Sequence, residues 1–191
     1  ENVDKTNRSM LNISLGANFK LPFKIKYRTK FNYYLFDRER FKYSPSTLPS
    51  RTEEMGGYAS RENYGETSLY VENIFDYGFK KGSHSFDATL GQTYKYFISN
   101  RLSLSGEGYA VDDIKWNNMG AVANKESYGA GSEQVIKQKL AFFMRANYNY
   151  KNRYYLTLTG RFDGASNFAA NHKWGFFPSG AVKWVIANEP W

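Results

Sequence analysis

Residues 10–21 read MLNISLGANFKL, and in them Leu11, Ile13, Leu15, Ala17, Phe19 and Leu21 alternate with Asn12, Ser14, Gly16, Asn18 and Lys20. A period of two sends successive side chains to opposite faces of an extended chain, so this stretch is a strand with one apolar and one wet face. Pro22 marks a tight connection. The alternation resumes with Phe23, Ile25, Tyr27, Phe31, Tyr33 and Leu35 set against Lys24, Lys26, Arg28, Lys30 and Asn32. The same pattern predicts strands over about residues 67–79, 86–96, 136–150 and 156–163, and a weaker one over 176–186. Lys80-Lys81-Gly82-Ser83 and Lys151-Asn152 are the turn signals between neighbouring runs.

The connections alternate between short and long. They are tight near Pro22, Gly82 and Asn152, and extended across residues 37–66, 97–135 and 163–175. Long structureless loops are uncommon in compact soluble domains. Several apolar runs are also about twice the ~5–6 residues usual for a globular strand. Long strands, short turns at one rim, long loops at the other and abundant aromatics are the combination found in outer-membrane barrels. Period two also fits a soluble antiparallel sandwich with a private core, because it does not say whether lipid or protein covers the apolar face. Strand length and rim asymmetry favour the barrel. The predicted fold is an all-β antiparallel up-and-down meander of about seven long strands. Residues 1–191 are read as a single β-barrel segment with no separate second domain.

Composition sets the outer bounds. The chain has 191 residues, 26 Lys+Arg against 18 Asp+Glu, and a net charge of +8. It has no Cys, which removes disulfides, thiolate metal sites and a cysteine nucleophile. Its 16 Tyr, 15 Phe and 4 Trp exclude a disordered chain, and with 16 Gly they speak against a helical bundle. A mean hydropathy of −0.65 does not exclude a membrane barrel, whose strands are apolar only at every second residue. The chain opens Glu1-Asn2-Val3-Asp4, without an initiator Met, and is read as a mature segment or an excised fragment.

Little in the sequence suggests catalysis. His84 and His172 have no ligand-spaced partners, so no metal and no cofactor are expected, and the chain is read as a non-enzyme. Gly106-Glu107-Gly108 and Gly129-Ala130-Gly131 lack the third glycine of a phosphate-binding turn. Glu53-Glu54 and Asp112-Asp113 read as solvated loop carboxylates. The row Lys24, Lys26, Arg28 and Lys30 carries more content, since four cations on one strand face need water or carboxylates between them. If the second and third strands are antiparallel neighbours, Lys30 falls near Glu72 and Lys26 near Asp76, forming a charge ladder on the wall of the lumen. Nucleic acid is not an expected partner, because the aromatics lie mostly opposite the cations and a single-strand binder needs both on one surface.

Residues 151–184, KNRYYLTLTGRFDGASNFAANHKWGFFPSGAVKW, resemble the barrel of the SusC/RagA family of TonB-dependent outer-membrane transporters. The matching residues are Arg161, Asp163, Gly164, Ser166, Phe168, Gly175, Phe177, Pro178, Ser179 and Trp184, while Ala165, Asn167 and Phe176 depart from the usual Ser, Arg and Tyr. The residues themselves suggest that this motif shapes a rim: Asp163-Gly164 is a turn pair, and Pro178 suits the first positions of a strand. The resemblance implies one segment of the large barrel, without its plug, of a Gram-negative outer-membrane transporter for oligosaccharide or peptide uptake, not competent to transport alone. It also implies contact with membrane lipid, a SusD-like lipoprotein outside and TonB supplying energy from the periplasm. The alternative is a soluble β-sandwich that binds carbohydrate through Trp116, Tyr128 and Trp174. An isolated barrel segment is expected to self-associate through its apolar stripe.

Overall fold

The computed structural model describes residues 1–48, 56–109, 111–123 and 125–190. Seven strands follow one another: β1 Val3–Lys20, β2 Lys26–Ser44, β3 Gly57–Lys81, β4 His84–Tyr109, β5 Gly129–Tyr150, β6 Tyr154–Ala165 and β7 Trp174–Trp184. They form a single sheet in sequence order, each strand beside the next, and the helical elements among the described residues are three-residue 3-10 turns. One sheet is a meander and not a sandwich, which needs two packed layers.

The strands are longer than the periodicity predicts. β2 runs on to Ser44, β3 begins at Gly57, β4 reaches Tyr109 and β5 begins at Gly129, so the expected loops 37–66 and 97–135 are largely strand. Cross-strand ion pairs hold these extensions: Arg38 with Glu62, Arg61 with Glu39 at 3.3 Å and Arg40 with Asp4 at 2.6 Å. Here neither face is consistently apolar, and the alternation that reveals a half-buried strand disappears although the strand does not. The short connections also differ in detail. Pro22–Lys24 is a 3-10 turn with Phe23 at φ 60° and Lys24 at φ 64°, so these two residues belong to the turn and not to the second strand. Ile186 lies in a 3-10 turn beyond β7. At the β5–β6 turn, Lys151 and Asn152 have φ 53° and 55°, and the Arg153 N–H donates to the Tyr150 carbonyl at 3.0 Å.

The chain divides into two compact units. The first comprises residues 1–12, 34–67 and 97–136, and the second residues 13–33, 68–96 and 137–191. In the first, Tyr43, Ala59, Tyr109 and Val122 form a buried cluster, with Val3, Trp116 and Met119 packed against it. Trp116, Met119 and Val122 all come from the β4–β5 connection, which folds back on the strands. Val122 sits where a Cβ on Gly106 would go, so the strand must carry glycine there for the loop to close down.

In the second unit most of the apolar side chains lie on one face and, among the described residues, have no second layer of protein over them. Contacts trace that face from strand to strand: Phe19 stacks on Tyr27 and Tyr27 on Phe75, Asn73 bonds Gln92, and His84 bonds Tyr148. The register continues it through Tyr148↔Leu156, Ala146↔Leu158, Leu156↔Val182 and Phe162↔Phe176. Val182 is 83% exposed and Leu15 63%. At this face the positions from Leu69 to Phe79, Phe86 to Tyr96, Leu140 to Tyr150, Tyr154 to Gly164 and Trp174 to Trp184 hold no Lys, Arg, Asp or Glu.

Candidate functional site

The opposite face of the second unit carries the charge. Strand alternation puts Lys26, Arg28 and Lys30 of β2 there, with Glu72 and Asp76 of β3, Asp87 and Lys95 of β4, Lys139 and Arg145 of β5, and Arg161 and Asp163 of β6. The β5–β6 register sets Phe143 opposite Arg161 and Ala141 opposite Asp163. The structure pairs Asp76 with Arg28, at 2.9 Å from Nη2, and the Thr89 hydroxyl donates to the other oxygen of Asp76 at 2.8 Å. Lys24 and Lys26 line a cleft with Asp76 and Asp87, Lys24 from its place in the turn. Glu72 lies in a different cleft, where it accepts from the Tyr70 hydroxyl at 2.7 Å.

That second cleft, of about 680 Å³, is the larger of the two. It is lined by Tyr70, Glu72, Lys95, Lys139, Phe143, His172 and the motif residues Arg161, Asp163, Gly164, Phe168, Gly175 and Phe177. The Arg161 Nε grips both carboxylate oxygens of Asp163, at 2.9 and 2.7 Å, an arrangement available to residues two apart on one strand face. The Arg161 guanidinium also lies 6.0 Å from the centre of the Phe143 ring. Phe143 in turn occupies the space a side chain at Gly91 would need. Ser166 ties the β6–β7 connection to β5: its backbone N–H donates to the Gln138 carbonyl, and its hydroxyl accepts from the Gln138 N–H, each at 2.9 Å. The remaining motif residues lie elsewhere. Pro178 is opposite Gly160 inside β7, away from the strand's start. Ser179 offers its carbonyl to the Thr159 hydroxyl at 3.5 Å. Trp184 donates to Glu189 at 2.9 Å, and Tyr154 donates to it at 2.6 Å. These two donors, Tyr154 first, hold the Glu189 carboxyl below the usual carboxylate range.

Of the three aromatics singled out as sugar contacts, two fall in the first unit and one in the second. Trp116 stacks on Phe41 at 5.5 Å in the first unit, and Tyr128, also of that unit, is an exposed residue just before β5. Trp174 belongs to the second unit and lies flat on Phe162 at 4.7 Å, on the apolar face. Of the loop carboxylates, Glu53-Glu54 lie outside the described residues. Asp112 accepts from the Tyr43 hydroxyl at 2.6 Å and the Ser46 N–H at 3.3 Å, which hold its carboxyl below the usual range. Lys95, Lys139 and Phe143 were not singled out in the sequence, because each is an ordinary wet-face position. Only strand pairing brings them to the motif.

The TonB dependent receptor-like, beta-barrel family model matches residues 1–191. TonB-dependent receptor P3 of Formosa agariphila is 27% identical over 191 residues, which are 99% of this chain and 19% of that protein. TonB-dependent receptor SusC of Bacteroides thetaiotaomicron is 28% identical over 149 residues, 73% of this chain and 14% of SusC. The fold matches the RagAB peptide importer in its open-open state with a TM-score of 0.87 at 17% identity, over 99% of this chain and 21% of that one. The matched region thus spans between about a seventh and a fifth of the length of these relatives.

Proposed function

Because the chain belongs to the TonB-dependent receptor-like β-barrel family, we propose that it forms a continuous part of the wall of an outer-membrane uptake barrel in a Gram-negative cell. The observation that carries this reading is the uncharged, uncovered apolar face of the second unit, which only a lipid phase satisfies without further protein. Its span fits. Tyr154↔Trp184 and Gly164↔Trp174 bound the face on β6 and β7. From Tyr154 to Gly164 is roughly 33 Å along the strand, or about 25 Å along the bilayer normal at a tilt of ~40°, close to the ~25 Å apolar band of such barrels. Trp184 and Trp174 then stand at the two interfaces, where amphipathic rings are favoured.

On this reading the short turns face the periplasm, the long connections face outward, and the charged face lines the lumen. The strands act by enclosing a wet path: they carry no current of chemistry, only a surface past which an oligosaccharide or peptide moves. The SusC/RagA resemblance supports a SusD-like lipoprotein on the outer side and TonB as the source of energy. The motif at Arg161–Asp163 and Phe177 stands on the lumen side of this wall. The segment does not transport alone, since a closed barrel has no free edges and this sheet has two, β1 and β7.

Cysteine labelling of the full-length protein in outer-membrane vesicles tests the orientation. Thr159→Cys should react with a water-soluble maleimide, and Leu158→Cys should react only with a bilayer-soluble one. Equal labelling of both by the water-soluble reagent would overturn the assignment.

A further inference from the structure

We propose that the cleft between Lys95, Lys139 and Phe177 is a binding subsite for an anionic sugar, one carrying a carboxylate or sulfate group; the inference rests on the barrel-wall reading above. The charge on this face is cation-rich, and its pairing is uneven. Asp76 is taken by Arg28 and Asp163 by Arg161, while Glu72 accepts the Tyr70 hydroxyl. Among the described residues, Lys95 and Lys139 make no ion pair, although both line the same cleft as Glu72 and Asp163. Glu72 also lacks a cationic partner among these residues, since the Tyr70 hydroxyl is neutral, but two unpaired ammonium groups against that one carboxylate leave the cleft net positive and attract an anion from solution over roughly the 8 Å screening length of physiological salt.

The apolar side of the cleft narrows the ligand class. Phe177 sits on the wet face, opposite Arg161 in the β6–β7 register, and lines the cleft. Lipid cannot cover a ring on that face. A flat ring exposed beside free ammonium groups matches a sugar that presents C–H groups on one side and an acid on the other. A neutral glucan would use the ring and leave both lysines unpaired. An acidic peptide would use the lysines and gain little from the ring.

The test uses the full-length transporter in nanodiscs, with barrel closure checked by heat-modifiable electrophoretic mobility. Tetragalacturonate is expected to bind about tenfold tighter than maltotetraose, an advantage that two partly exposed charge contacts account for. Lys95→Gln with Lys139→Gln should abolish that advantage and flatten its salt dependence, whereas Lys95→Arg with Lys139→Arg should retain it. Phe177→Ala should weaken both sugars. Equal binding of the two sugars, an advantage that survives the glutamine pair, or tighter binding of tetraglutamate than of tetragalacturonate would each overturn the proposal. A wild-type protein that shows no closed-barrel mobility would instead count against the barrel reading itself.

Discussion

The two units solve the same problem in different ways. Both contain long strands with apolar side chains on a face that has no second sheet against it. In the first unit the β4–β5 connection supplies the cover: Trp116 lies on Phe41, Met119 meets the Tyr109 hydroxyl at 3.5 Å, and Val122 fills the space over Gly106. Tyr43 and Tyr109 are left 2% and 1% exposed. In the second unit the β6–β7 connection is tied to β5 through Ser166 and lines the cleft of the wet face, and among the described residues the apolar face stays open. On the barrel-wall reading the difference is one of solvent: where water would meet the apolar face the chain provides its own cover, and where lipid would meet it cover is redundant.

The sharpest way to break this comparison is to remove the lipid. The 191-residue segment in detergent-free buffer should self-associate or precipitate, because an open apolar face and two unpaired edges both promote association. Light scattering from a clean monomer near 22.1 kDa would show that the face is covered by protein after all. Next in size is Tyr43→Ala. Emptying a nearly buried aromatic site should cost about 3–5 kcal/mol locally and raise hydrogen exchange and proteolysis in residues 111–128, with the β5–β7 strands unaffected.

A third substitution, Leu158→Lys, puts a charge on the lipid-facing side. It should cost ~2–4 kcal/mol of barrel stability in urea titrations of the full-length protein in lipid, whereas Thr159→Lys on the wet face should cost far less. If the two are equal, the faces are misassigned. Asp112 gives a smaller effect, with a defined sign. Its carboxyl is held low by the Tyr43 hydroxyl and by Ser46, so its contribution is present above its ordinary pKa of 3.8 and is lost as pH falls through the lower folded value. Protease resistance of the 111–128 connection should therefore drop below about pH 4, and Asp112→Asn should remove that pH dependence. The smallest effect belongs to Arg61→Ala, which breaks an ion pair with Glu39 in which each side chain is 41% exposed. It should move stability by no more than ~1 kcal/mol, apart from lost packing of the guanidinium over Phe41.

Amino-acid order alone determined the strands with one apolar and one wet face. Residues 13–33, 69–79, 86–96 and 140–163 alternate between apolar and polar side chains, and that asymmetry is written residue by residue. The same logic explains what was not legible. Arg38, Glu39, Arg40, Arg61 and Glu62 extend β2 and β3 through paired charges on both faces, so their stretch reads as loop. The motif from Arg161 to Phe177 was legible as a local pattern, but not its surroundings. Lys95 and Lys139 join it only through pairing across β4, β5 and β6, and Trp116 was readable as an exposed loop aromatic until the chain folded it onto Phe41. Periodicity is a property of neighbours in sequence and reports the medium on either side of a strand. Register, loop docking and the partners of a charge are set by residues tens of positions apart, and only the tertiary structure decides them.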